Sequence, residues 1–144
     1  MKLLNFYQPA IQNERTFVNS FNDNLQEMAR HFWHDMNGAA PGLIGVALFV
    51  GIVVCCYYYG PYNNKPGRHY KPSHWAGFML FNFLATLLLT EIYEHLLVKT
   101  TLKGAGMTMF WIALQNAVYS TIFVYLPMSI VWCKFWKTKA YRIF

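Results

Sequence analysis

Charge is missing from three long stretches of this chain, Met36 to Asn64, Trp75 to Thr90 and Gly104 to Cys133, and no other feature limits its fold so strongly. A helix rises about 1.5 Å per residue and the hydrocarbon core of a bilayer is about 30 Å thick, so about 20 apolar residues cross it. The first and third stretches meet that length outright. The second does so by running on through Glu91-Ile-Tyr-Glu94-His95 to Val98, which places three ionisable side chains near one end. The expectation is an all-α membrane protein, three transmembrane helices preceded by an N-terminal amphipathic helix. Its parts are an arm over 1–38, a membrane domain over 39–136 with spans at about 41–60, 75–98 and 106–133, and a basic tail over 137–144.

Hydrophobic residues make up 56% of the chain and charged ones 12%, about half the share of an average soluble domain. Little remains from which to build an aqueous core, which argues against a separate catalytic domain. The first apolar run begins only near Leu43, too late for a conventional cleaved signal peptide. Cys55, Cys56 and Cys133 lie in or at the end of apolar stretches and read as small buried hydrophobes.

The net charge of +6 is unevenly placed. The first 36 residues carry Lys2, Arg15 and Arg30 against Glu14, Asp23, Glu27 and Asp35. With three spans, the loop holding Lys65, Arg68 and Lys71 shares a side with the tail holding Lys134, Lys137, Lys139 and Arg142. The positive-inside rule puts that side in the cytoplasm or matrix and the N-terminus outside. These cations suit anionic lipid headgroups. Nucleic acid is not expected, because no soluble module presents a basic face.

Phe17, Phe21, Leu25, Met28, Phe32 and Met36 recur at intervals of three and four, with Asn22, Asp23, Gln26, Glu27 and Arg30 opposite, and so predict one amphipathic helix. Asn13 or Ser20 could cap it. Asn37-Gly38-Ala-Ala-Pro41-Gly42 is expected to end it. Its polar face is slightly acidic, whereas helices that lie on membrane surfaces are usually basic there, which favours a protein partner. The segment from Gly60 to Pro72, rich in prolines and cations, is expected to be a non-helical loop. Tyr57, Tyr58, Tyr59, Tyr62, Tyr70 and Trp75 around it, and Trp132, Phe135 and Trp136 at the last span, suit an interfacial aromatic belt. Pro127 is expected to kink the third span without breaking it.

Asn82, Thr86, Thr90 and Glu94 recur every four residues along the second span, with Glu91 and His95 beside them. The third span offers Gln115, Asn116, Tyr119, Ser120 and Thr121 at similar depth, so the two helices could hydrogen-bond across an antiparallel hairpin. Glu91, Glu94 and His95 should share one helical face, and intramembrane carboxylates and histidines are the usual proton carriers. A small oligomeric proton or cation channel using that cluster, with Asn82, Gln115 and Asn116, is therefore the alternative function. Glu91 to His95 lacks the matching second motif of a di-iron bundle site, and His31 with His34 supplies two metal ligands where zinc needs more. No metal, cofactor or catalytic residues are expected. Gly42, Gly45 and Gly51 read as close-packing positions between helices.

The Tyr57-Tyr58-Tyr59 edge, the Trp132 to Trp136 edge, the basic tail from Lys134 and the arm from Phe17 to Met36 give a build that resembles the supernumerary membrane subunits of mitochondrial respiratory complexes and ATP synthase. That resemblance implies a non-catalytic accessory role in a hetero-oligomeric complex, contact with other membrane subunits and cardiolipin, no redox centre, and the mitochondrial inner membrane. A subunit of a bacterial inner-membrane complex would share the same build.

Overall fold

The fold is described from a computed structural model for Tyr7, residues 13–63, Lys65 and residues 71–135, with side chains as far as Trp132. Among these residues all regular structure is helical. Helix α1 spans Glu14–Asn19, and α2 spans Gln26–Tyr57 after a 3-10 turn at Asp23–Leu25 and continues as a π-helical turn over Tyr58–Tyr62. Helix α3 spans Pro72–Leu97. Helix α4 spans Gly106–Tyr119 and passes through a π-helical segment, Ser120–Tyr125, into α5, Leu126–Phe135. Three helical rods, Asp23–Tyr62, Pro72–Leu97 and Gly106–Trp132, are long and apolar enough to cross a membrane.

The single amphipathic helix expected over Phe17 to Met36 is not what forms. Asn13 caps α1, its Oδ1 accepting from the Thr16 amide at 3.1 Å and hydroxyl at 2.7 Å. The chain then breaks over Ser20 to Asn22, where the Ser20 hydroxyl donates to the Phe17 carbonyl at 2.6 Å. Short polar side chains offer the backbone such local bonds in place of a continuing helix, which is why Ser, Asn and Asp are weak helix formers. The break folds α1 back along α2, and the Phe17 ring lies 5.8 Å from Phe32 and 5.5 Å from Trp33. Met28, expected on the apolar stripe, is 39% exposed.

Nor does the helix stop between Asn37 and Gly42. Helix α2 runs straight through Gly38 and Pro41. The reason is the stripe itself: Ala29, Phe32, Met36, Ala40, Leu43, Ala47, Val50 and Val54 are buried at intervals of three and four across the proposed stop. Packing of that continuous face outweighs the lost Pro41 N–H and the flexibility of Gly38. The one positive-φ glycine among the described residues is instead Gly104, φ 93°, in the turn that leads into α4.

Helical structure also reaches further into the expected proline loop, to Tyr62, and Pro72 opens α3. Pro61 lies within one π-helical turn and Pro127 is the second residue of α5, just beyond the other. A proline leaves the carbonyl four residues back without its donor, and π-type bulges are a common way for a helix to absorb such a defect.

Apolar contacts gather at the two ends of the bundle. At one end Phe17, Val18, Phe32, Trp33, Leu102 and Ala105 join α1 and α2 to the α3–α4 turn. Asp35 fastens that turn, accepting from the Thr100 hydroxyl at 2.8 Å and amide at 3.2 Å. At the other end Tyr58, Tyr59 and Tyr125 pack with Tyr62, Trp75, Phe78 and Trp132. Tyr58 and Tyr59, expected in an interfacial belt, are fully buried in this cluster, while Tyr57 is 47% exposed. Their position on α2 explains it, since they continue the buried stripe one turn beyond Val54 and Cys55.

Candidate functional site

Between the two apolar ends, α4 reaches across to the backbone of α2 at two levels one helical turn apart. At the first level Asn116 donates from Nδ2 to the Leu43 carbonyl at 2.9 Å and to the Thr90 hydroxyl of α3 at 2.8 Å. At the second, the Ser120 hydroxyl donates to the Ala47 carbonyl at 2.8 Å and accepts from Asn82 Nδ2 at 3.3 Å. Each level therefore ties all three long helices together. The spacing follows from helical geometry, since Asn116 on α4 and Ser120, four residues on at the start of the π-helical segment, meet carbonyls four apart on α2.

Close approach at the second level depends on Gly51. A methyl group there would stand 2.7 Å from Val124 Cγ1 and 3.1 Å from Ser120 Oγ. A methyl group at Gly42 would collide with the Tyr93 ring, whereas at Gly45 it would meet open space. Gly42 and Gly51 thus sit at close helix contacts and Gly45 does not.

Tyr7 completes the first level. Its ring is fully buried, lies 6.0 Å from Tyr119, and its hydroxyl donates to Asn116 Oδ1 at 2.9 Å. Burial, then the Glu94 carboxyl and the Tyr119 phenol, push the Tyr7 phenol above its ordinary range, so it remains a donor at physiological pH. Nothing in the sequence marked Tyr7, which belongs to no periodic pattern, and the Leu43 and Ala47 carbonyls are invisible to any reading of side chains. Beside Tyr7 an apolar groove of about 480 Å³ opens between α2 and α4, lined by Ile44, Leu48, Asn116, Tyr119, Phe123 and Val124 among others.

The residues singled out from sequence divide between these features. Asn82 and Glu94 are fully buried and Asn116 is 1% exposed, and Thr86 and Thr90 complete a buried polar stripe on α3. Asn82 also donates to the Thr121 hydroxyl at 3.3 Å. The Gln115 amide donates to the Tyr119 hydroxyl on its own helix. Glu91, Glu94 and His95 fall within about 100° of one another around α3 but differ in exposure. At about 100° per residue, Glu94 lies about 60° to one side of Glu91 and His95 about 40° to the other. Glu94 consequently points into the bundle, the Glu91 side chain is 23% exposed, and His95 is 70% exposed, with 3.8 Å between His95 Nε2 and Glu91 Oε2.

Lys65 and Lys71 are exposed beside the α2–α3 connection. Arg68, Lys137, Lys139 and Arg142, the Lys134 side chain, Tyr70 and Trp136 lie outside the described residues. His31 and His34 are exposed on α2, and among the described residues no three His, Cys, Asp or Glu side chains gather as a metal site would require. Cys55 is buried with its sulfur 3.9 Å from Ser129 Oγ. No family model, curated protein or solved structure matches this chain.

Proposed function

We propose that this chain is a non-catalytic accessory subunit of a larger hetero-oligomeric membrane complex, acting as a rigid packing element among other membrane subunits and lipid. The observation that carries this reading is the division of labour on α3. Its inner face spends Asn82 and Thr90 on holding α2 and α4, while Leu80, Phe81, Leu84, Leu88, Ile92 and Leu96 stand 48–74% exposed along its outer side. In lipid, helices associate through close small-residue contacts and interhelical hydrogen bonds, and this bundle uses both. An apolar outer face of that length suits acyl chains and neighbouring spans.

The exposed Lys65 and Lys71, together with Arg68, Lys134, Lys137, Lys139 and Arg142 in the adjoining sequence, would meet anionic headgroups such as cardiolipin on the cytoplasmic or matrix side. Complexes of the respiratory chain and ATP synthase, whose accessory subunits the chain resembles in build, are where this role places it. The test is native electrophoresis with mass spectrometry on the protein extracted from its own membranes in mild detergent. Comigration with a large assembly is the expected result and names the complex. A small homo-oligomer that passes protons across liposomes would overturn the reading in favour of a channel.

A further inference from the structure

Glu94 takes no part in either level of the interhelical hydrogen bonds. It follows Thr90 by one turn on the inner face of α3, is fully buried, and neither carboxyl oxygen has a hydrogen-bond partner among the described residues. Among the described residues the neighbouring titratable groups come from α3 and the N-terminal segment. On α3 itself, Glu91 precedes it by three residues and His95 follows directly, the two paired at 3.8 Å and progressively more exposed. From the N-terminal segment comes the Tyr7 phenol, which feels the Glu94 carboxyl. Helices α2 and α4 turn Ala40, Leu43, Ile112 and Ala113 inward over this part of the bundle, none of them titratable. Lys99 and Lys103 beyond the end of α3 are exposed.

An ionised carboxylate in such surroundings, with neither a counter-ion nor a donor among the described residues, carries a large desolvation penalty, which a bound proton removes. The residue types also form a graded series from outside to inside: an exposed imidazole, a partly buried carboxylate, and a fully buried carboxyl.

We propose that Glu94 is a reversible proton-binding site, loaded and unloaded from the α3–α4 end of the bundle through the His95–Glu91 pair. A proton taken from solvent by the imidazole passes to the Glu91 carboxylate and on to a Glu94 oxygen, leaving a neutral carboxyl; release retraces the same N–H and O–H exchanges. Among the described residues the series reaches the surface at His95. Inward of Glu94 the stripe continues through Thr90, which accepts from the Asn116 amide, and the Asn82 amide is bonded to Ser120, and amide groups do not carry protons onward. This goes beyond the accessory role and does not depend on it, because the site lies within one chain.

The test is infrared spectroscopy of the full-length protein in its native membranes or complex, paired with labelling by dicyclohexylcarbodiimide, an apolar reagent that modifies protonated carboxyls. The expected result at neutral pH is a protonated-carboxyl band that Glu94→Gln abolishes, with the label found on Glu94, and a response of that band to a pH jump that Glu91→Gln slows. Gln copies the neutral acid in shape, so Glu94→Gln should assemble as the wild type does. Absence of a band sensitive to Glu94→Gln overturns the proposal. So does failure of Glu94→Gln to assemble under conditions where Glu94→Asp assembles, since the charge itself would then be required.

Discussion

Replacing Asn116 with Ala removes three interhelical hydrogen bonds at once: to the Leu43 carbonyl, to Thr90 and from Tyr7. Interhelical side-chain bonds in membrane proteins average about 0.6 kcal/mol each, with a ceiling of about 1.7, so their joint loss should destabilise the bundle by about 2 kcal/mol. The groups left behind differ. The Leu43 carbonyl keeps its place in the α2 backbone ladder, and the Thr90 hydroxyl can turn to the carbonyl one turn earlier on α3. The Tyr7 hydroxyl, fully buried, has no such local substitute. Tyr7→Phe on its own removes one bond and should therefore weaken the fold by about 0.6 kcal/mol. Asn116→Leu, of similar volume, separates the lost bonds from the cavity that Ala leaves. The assay is equilibrium unfolding in mixed micelles with a rising fraction of denaturing detergent, followed by helical circular dichroism, and a double-mutant cycle isolates the Tyr7–Asn116 coupling. The reasoning fails if Asn116→Ala falls within about 0.5 kcal/mol of wild type, less than one average bond, or if Tyr7→Phe is as damaging as Asn116→Ala.

Gly51→Val should push α2 away from Val124 and Ser120, lowering stability by about 1–3 kcal/mol through overpacking, and adding Val124→Ala should restore part of the loss in the same unfolding assay. Phe17→Ala empties the ring cluster with Phe32 and Trp33, so α1 should detach and limited proteolysis should cut near Ser20 to Asn22, while helix content from α2 onward stays as in wild type. Pro41→Ala returns an N–H donor to the Asn37 carbonyl in the middle of α2 and should raise stability by about 1 kcal/mol or more; a loss would mean that the proline sets a bend the fold requires.

Helix boundaries show how sequence signals are weighed against packing. Gly38 and Pro41 are strong local punctuation, yet the stripe from Ala29 to Val54 is longer than either signal is strong, and α2 is continuous. At Ser20 to Asn22 the balance tips the other way: local side-chain bonds compete with the helix, and turning back allows Phe17 to stack on Phe32, a contact 15 residues away in sequence. Both outcomes rest on which faces find partners, and one chain's sequence pattern states only that a face exists.

Three charge-free stretches already point to long apolar helices, and the four-residue spacing of Asn82, Thr86, Thr90 and Glu94 is enough to align them on α3. What that stripe meets is settled by how the helices pack. The acceptors at Leu43 and Ala47 are backbone atoms identical in every residue, Tyr7 arrives from 109 residues before Asn116, and the inward turn of Glu94 against the outward turn of His95 depends on where α2 and α4 press upon α3. Periodicity fixes angles around one helix axis. The zero of that angle, and with it the difference between an outward-facing side chain and a buried one, is set by the neighbouring helices.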